Sequence, residues 1–293
     1  MISLRPAIRT LRPKQWVKNI FVAAPLVFAK DLLDPSRLWR EAVAVFAFCL
    51  LSGAVYAFND VRDVEADRVH PTKCKRPIAA GELSESGALW LAGVLSVVAL
   101  GGCLAIHWQL AAWAALYLAQ NVAYSVKLKH VAFLDVILVS GGFVLRVVAG
   151  AAAIDVPPSL WLLACASLLA LFLGLGKRAH ELAWAQRSGK ATATRAALAG
   201  YRLPMVQQLM VVLALATCGA YVAYTLDAHT VAFFGTRDLV FSAPFVLLGV
   251  ARFLALALWW PTQEPPTDAM MRDPWFLTIL AGATATVLVI IYK

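Results

Sequence analysis

Apolar stretches of membrane-spanning length alternate with short polar segments along the whole chain. Nine can be drawn, at roughly 16–30, 38–58, 87–106, 108–126, 133–154, 158–176, 205–225, 239–260 and 274–292. A bilayer core takes about 20 apolar residues as one helix, so each stretch is predicted to be a membrane-spanning α-helix. Lys18, Asn19 and Pro25 interrupt the first. Almost nothing separates 87–106 from 108–126, which predicts a tight helical hairpin. The two longest polar segments, 59–86 and 177–204, follow the second and sixth spans and fall on the same side of the bilayer. That four-span spacing hints at two similar halves, although no sequence repeat accompanies it. The expected fold is a single all-α integral membrane domain over residues 1–293.

Composition excludes the alternatives. Of the 293 residues, 61% are hydrophobic and 15% charged, with mean hydropathy +0.73. A soluble domain carries about a quarter charged residues, so too few are present to cover a wetted surface. Four of the five cysteines (Cys49, Cys103, Cys165 and Cys218, but not Cys74) lie in apolar spans, and none forms a CxxC pair. Neither a disulfide nor a zinc site is expected. The basic N-terminus is not followed by a short apolar region with a cleavage site, so no cleaved signal peptide is expected.

The net charge of +9 sits in the loops. With the N-terminus in the cytoplasm, most of the 26 basic residues become cytoplasmic, including those near the start, those from Arg62 to Arg76, and those from Lys177 through Lys190 and Arg195 to Arg202. This is the positive-inside pattern of a multi-pass membrane protein, and nine spans then put the C-terminus outside. Basic charge confined to loops points to anionic substrates or lipid head groups, with no nucleic-acid partner. The uniformly apolar outer faces are compatible with a homo-oligomer. The tryptophans fall mostly near span ends, as in an interfacial belt. Gln263 to Asp273 reads as a cytoplasmic loop with the character of a lid.

Chemistry concentrates at the end of the second span, in Asn59-Asp60-Val61-Arg62-Asp63-Val64-Glu65-Ala66-Asp67. On a helix, Asn59, Asp63 and Asp67 share one face, with Asp60 beside them. Carboxylates this close repel unless a cation lies between them. Hard oxygen donors at that density suit Mg²⁺, which completes its shell with water and substrate phosphates. The basic run His70-Pro71-Thr72-Lys73-Cys74-Lys75-Arg76-Pro77 follows at once and suits the outer oxygens of a diphosphate. A solvated loop of mixed charge is the plainer reading, and the spacing argues against it.

This motif, with Arg76-Pro77 and Gly81 after it, resembles the UbiA-type intramembrane prenyltransferase superfamily along the whole chain. The resemblance implies a nine-helix bundle with a central cavity opening near the cytoplasmic face, and transfer from a Mg²⁺-bound diphosphate donor. Members usually carry a second aspartate motif after the sixth span. Here that position reads Gly176-Lys177-Arg178-Ala179-His180-Glu181-Leu182, which favours direct anion contact by cations over a second metal. With Leu11 to Asn19, Tyr124-Ser125-Val126-Lys127-Leu128-Lys129, Leu134-Asp135 and Gly142 to Arg146, the set is similar to the decaprenyl-phosphate phosphoribosyltransferase family. That branch implies phosphoribosyl diphosphate as donor and a polyprenyl phosphate as acceptor, yielding a precursor for cell-envelope arabinose.

The roles expected from the resemblance follow. Asn59, Asp60, Asp63 and Asp67 hold Mg²⁺ on the donor diphosphate, the three aspartates being the catalytic set. Lys73 and Arg76 contact diphosphate or sugar phosphate. Lys18, Asn19, Tyr124, Lys127, Arg146, Lys177 and Arg178 share the donor's other polar groups and the acceptor phosphate. Glu181 orients a cation or binds ribose hydroxyls. An arginine within a span is costly and faces the bundle interior; Arg146 has an anion contact as one explanation and pairing with Asp135 or a backbone carbonyl as another. The competing functions are an aromatic or quinone-precursor prenyltransferase with a prenyl diphosphate donor, a lipid or small-molecule transporter, and a non-enzymatic scaffold, which leaves the acidic cluster unexplained.

Overall fold

The structure, a computed structural model, describes residues 4–70, 72–188, 196–259 and 264–293. Pro71, Lys190, Arg195 and Gln263 of the sequence reading lie outside the described residues. Eight helices carry the fold: α1 (Pro35–Arg62), α2 (Glu85–Ile106), α3 (Trp108–Val126), α4 (Leu134–Ala153), α5 (Leu160–Ser188), α6 (Leu203–Leu226), α7 (Ala243–Leu258) and α8 (Pro274–Tyr292). Among the described residues, seven helical segments are long and apolar enough to cross a bilayer. These are all but α3, with the α7 crossing starting at Asp238 in a 3₁₀ turn. The helix α3 keeps its predicted limits, but Gln109, Gln120 and Asn121 make it less apolar.

The first predicted span is corrected. Residues 16–30 are not one helix: a 3₁₀ helix covers Pro13–Phe21 and a short α-helix covers Ala24–Phe28. Asn19 turns inward to bond other buried polar groups, and Pro25 has no amide proton to continue a helix. Other spans outrun their predicted ends. The helix α5 continues to Ser188, so the Lys177–Glu181 segment is helix and not loop. The Ala, Leu, Glu, Gln, Lys and Arg residues after Gly176 are strong helix formers, with no proline or glycine until Gly189.

Polar caps mark the helix starts. The Asp34 carboxylate accepts from the amides of Ser36 and Arg37 at 2.8 and 3.2 Å. Ser84 does the same for Gly87 at 3.1 Å, and Asp273 for Phe276 at 2.7 Å. Each satisfies an amide that has no partner within its helix. Arg252 donates to both oxygens of Asp273, at 3.0 and 2.6 Å, and that guanidinium holds the carboxyl below its ordinary value. His107 alone joins α2 to α3. Its backbone is extended and its Nδ1 accepts from the Gln109 amide at 3.2 Å, so one residue turns the expected hairpin.

The chain forms two compact units. Unit one comprises Met1–Lys129 and Gly142–Pro158; unit two comprises His130–Gly141 and Ser159–Lys293. The helix α4 is divided between them at Gly142. In unit one, α1 packs against α2 and α3, around Phe48, Leu51, Leu110, Tyr117 and Leu145. In unit two, α5 packs against α6, and α7 against α6 and α8. Its core contains Phe172, Leu175, Val206, Met210 and Phe253, with the Phe172 and Phe253 rings edge-on at 5.0 Å. Large apolar side chains such as Trp90, Val97, Leu215 and Leu248 point outward, as a lipid-facing surface requires.

One glycine is fixed by close approach. A Cβ on Gly150 would stand 1.9 Å from the Val22 carbonyl oxygen and 2.8 Å from Glu41 Oε1. The carbonyl is backbone and cannot swing away. Glu41 is only 1% exposed, and neither of its oxygens has a hydrogen-bond partner among the described residues. Gly150→Ala is expected to destabilise unit one by about 3 kcal/mol or more, at or beyond the upper end of overpacking costs. Thermal unfolding of the purified variant checks this; an unchanged midpoint would mean that α4 does not approach Val22 so closely.

Candidate active site

The acidic motif straddles a helix end. The helix α1 stops at Arg62, Asp63 caps it at φ −101° and ψ 8°, and a short helix, Val64–Arg68, follows. The expected single helical face is therefore two pieces joined at Asp63. The spacing survives the break, because the Asp63 amide donates to the Asn59 carbonyl at 3.0 Å and the Asp67 amide to the Asp63 carbonyl at 2.8 Å.

Three cations close over the three carboxylates. Arg12 Nη2 donates to Asp60 Oδ1 at 2.5 Å, and Arg76 Nη1 reaches the same oxygen at 3.0 Å. Arg76 Nη1 also donates to Asp67 Oδ2 at 2.5 Å. Lys129 Nζ holds Asp63 Oδ1, while Asn59 Nδ2 donates to Asp63 Oδ2 at 3.1 Å. Asp60 and Asp67 are buried beneath these partners and Asp63 is 28% exposed. Buried carboxylates need such pairing to stay ionised.

Local geometry delivers each cation. Arg12 takes a left-handed backbone (φ 51°, ψ 62°) immediately before Pro13 and lays its guanidinium 4.9 Å from the centre of the Tyr56 ring. A non-glycine residue there stores strain that its surroundings must hold. Arg76 follows the turn Lys73–Lys75, and Lys129 lies in the turn Leu128–His130 after α3. Burial, and then the charge of Lys73, push His70 below its ordinary value. Its Nδ1 accepts from the amides of Thr72 and Lys73 at 3.2 and 3.4 Å, so the neutral ring leaves the basic charge of this loop to Lys73, Lys75 and Arg76.

Among the described residues, no three His, Cys, Asp or Glu side chains converge as a metal shell. The donor set still suits a hard divalent cation, being three carboxylates and a carboxamide without sulfur or imidazole. What separates the carboxylates is their own cations, which already hold one oxygen of each.

A second buried group in unit one surrounds Arg146, which is 6% exposed. Its Nε donates to Asn19 Oδ1 at 2.8 Å, Nη1 to the Gly142 carbonyl at 2.9 Å, and Nη2 to Tyr117 OH at 2.7 Å and Ser52 Oγ at 3.3 Å. The Tyr117 and Phe143 rings lie 4.6 and 5.3 Å from its centre. Every described partner is neutral. The backbone-carbonyl explanation for this span arginine holds in part, and the Asp135 pairing does not.

Asp135 belongs to a buried network in unit two. Arg178 Nε lies 2.9 Å from Asp135 Oδ2 as an ion pair. Its N–H does not aim at that oxygen, so neither atom makes a well-directed hydrogen bond. Arg178 Nη1 also holds Glu181. Tyr201 OH donates to Asp135 Oδ1 at 2.6 Å and accepts from the Phe133 amide at 2.7 Å. Burial, and then the bond to Asp135, raise the Tyr201 phenol above its ordinary value.

Of the residues predicted from sequence, the structure gathers Asn59, Asp60, Asp63, Asp67 and Arg76 in one group. It joins Asn19 to Arg146, and Arg178 to Glu181. Lys18 is half-buried in the 3₁₀ helix Pro13–Phe21, and Tyr124 is half-buried in the last turn of α3. Lys73, Lys127 and Lys177 are exposed. Sequence reasoning missed Arg12, Lys129, Ser52, Tyr117 and Tyr201. Arg12 and Lys129 stood inside segments already singled out, but no spacing rule linked either one to an aspartate.

A sequence profile of the UbiA prenyltransferase family matches residues 20–280. The protein named decaprenyl-phosphate phosphoribosyltransferase from Mycolicibacterium smegmatis is 44% identical over 192 residues, spanning 62% of this chain and 58% of that protein. The protein of the same name from Mycobacterium tuberculosis (strain ATCC 25618 / H37Rv) is 37% identical over 288 residues, spanning 96% of this chain and 92% of that one. The structure of a UbiA homolog from Archaeoglobus fulgidus bound to GPP and Mg²⁺ superposes with a TM-score of 0.74 at 16% identity, covering 98% of this chain and all of that one. At that identity the likeness is one of fold.

Proposed function

We infer that this chain, which belongs to the UbiA prenyltransferase family, is a membrane transferase that moves 5-phosphoribose from phosphoribosyl diphosphate to a polyprenyl phosphate, releasing diphosphate. Its near full-length likeness to the Mycobacterium tuberculosis phosphoribosyltransferase carries this reading. Absence of the second aspartate motif supports it. At that position α5 presents Lys177, Arg178 and Glu181, which suits anion contact better than a second metal-held diphosphate.

The reaction forms a bond from an acceptor phosphate oxygen to the ribose anomeric carbon and breaks that carbon's bond to diphosphate. A phosphate monoester is already ionised near neutral pH, so the acceptor needs no general base. What the chain must do is position two anions against their mutual repulsion and stabilise the departing diphosphate. Asn59, Asp60, Asp63 and Asp67 are the residues that would hold Mg²⁺. The metal, when bound, supplies charge neutralisation on the diphosphate. Arg76, Lys73 and Lys18 bind its remaining oxygens, while Tyr124 and Lys127 lie at the end of α3 to share the sugar phosphate. Arg146 and Asn19 place positive potential deep in unit one. Arg178 is held by two carboxylates and serves as a positioning residue, leaving Lys177 as the anion contact of that helix and Glu181 to steady the arginine.

Counting the broken segment 13–28 and α3 as crossings gives nine, with the N-terminus in the cytoplasm of a bacterial plasma membrane and the C-terminus outside. A donor swap tests the function. Purified protein with Mg²⁺ is expected to label lipid from radiolabelled phosphoribosyl diphosphate plus decaprenyl phosphate, and to lose that label with a chelator. It is expected to give no product from a prenyl diphosphate plus 4-hydroxybenzoate. Product only in the second reaction would make the chain an aromatic prenyltransferase.

A further inference from the structure

The acidic face is balanced. Asp60, Asp63 and Asp67 carry three negative charges, and Arg12, Arg76 and Lys129 return three positive ones, each bonded directly to a carboxylate oxygen. A divalent cation arriving alone meets no net negative charge. To draw on both oxygens of Asp60 or Asp67, each almost fully buried, it must also displace an N–H donor that already holds one of them. That donor then needs a new anion, since a partly buried cation stripped of its partner is costly. A diphosphate arriving with the metal supplies one. Its oxygens accept from guanidinium and ammonium groups at least as well as a carboxylate does.

We propose that Arg12, Arg76 and Lys129 are exchange cations: they hold the three aspartates while no donor is bound, and pass to the diphosphate oxygens when metal and donor bind together. Arg12 and Lys129 thereby become donor-binding residues. The strained left-handed backbone at Arg12 fits this role, because it aims the guanidinium at Asp60 in the closed state. Metal and diphosphate are then coupled ligands, each increasing the affinity for the other.

This rests on the diphosphate-donor reading, and the test is chosen to separate the two. Equilibrium dialysis of detergent-solubilised full-length protein measures bound ⁵⁴Mn²⁺ and bound ³²P-labelled inorganic diphosphate, alone and together, without sugar or lipid. The wild type is expected to bind Mn²⁺ about tenfold or more tightly when diphosphate is present, within the usual range of coupled ligands. Arg12→Gln and Lys129→Gln are expected to move the two ligands in opposite directions, with metal alone bound more tightly and diphosphate with metal more weakly. Equal Mn²⁺ affinity with and without diphosphate overturns the exchange while leaving a diphosphate site intact. So does a variant that loses diphosphate with no gain in metal. No diphosphate binding under any condition defeats the donor reading as well. If either variant fails to fold, the wild-type comparison still decides.

Discussion

Asp63→Asn is expected to lower transfer by about 100- to 1,000-fold, the range for removing one preorganised electrostatic contact from a transition state. Asparagine keeps the size of the side chain and an oxygen that can face Lys129, but it removes a full negative charge from the metal-holding set. Asp63 is the most open of the three aspartates, at 28% exposed. It sits at the junction of two helical pieces rather than within one. Lys129, 6% exposed, is then left with an amide oxygen in place of a carboxylate, so a modest fall in the thermal midpoint is expected beside a far larger fall in turnover. Asp60 is a poorer choice for this test. It is 2% exposed beneath two arginines, so neutralising it also strands Arg12 and leaves Arg76 with Asp67 alone. Kinetics at saturating Mg²⁺, run beside a melting curve, check the expectation. A variant that melts normally and turns over normally would remove Asp63 from the metal set.

The second large effect is on stability, in unit two. Arg178→Met leaves Asp135, which is 0% exposed, with the Tyr201 hydroxyl and no cation. Breaking a buried pair from one side costs about 3–5 kcal/mol, because the remaining charge stays buried and uncompensated. For a chain of this size that lowers the melting midpoint by roughly 6–10 °C. Adding Asp135→Leu should restore much of the loss, since an apolar pair of similar volume is often as stable as the ion pair it replaces. If Arg178→Met melts normally and instead raises the Michaelis constant for one substrate, Arg178 is an anion contact and not a positioning residue.

The all-helical membrane fold was legible because long apolar runs need only length and composition to be read. The hairpin at His107 was legible for the same reason, as two runs had no room for a loop. The failures are local. The run at 16–30 passed a hydropathy count, yet Asn19 turns into the core instead of toward solvent, and Pro25 interrupts the helix. The segment around Lys177 looked like a loop because it is charged, and charge also decorates a helix that extends past the membrane. Within the site, the aspartates were legible from i, i+4 spacing. Arg12 and Lys129 were not, because they meet Asp60 and Asp63 across 48 and 66 residues of sequence. Asp135 and Arg146 share one helix, which suggested a pair. Asp135 instead meets Tyr201 and Arg178, while Arg146 bonds Asn19, Ser52, Tyr117 and the Gly142 carbonyl of its own helix.

The central claim is that the sugar phosphate moves to the lipid and the diphosphate leaves. Donor labelled with ¹⁴C in the ribose and ³²P in the β-phosphate follows both halves of one reaction. With decaprenyl phosphate and Mg²⁺, ¹⁴C is expected in the organic-extractable product and ³²P in free diphosphate, in equal molar amounts. Lipid carrying both labels, or diphosphate released with no ¹⁴C in lipid, would contradict it.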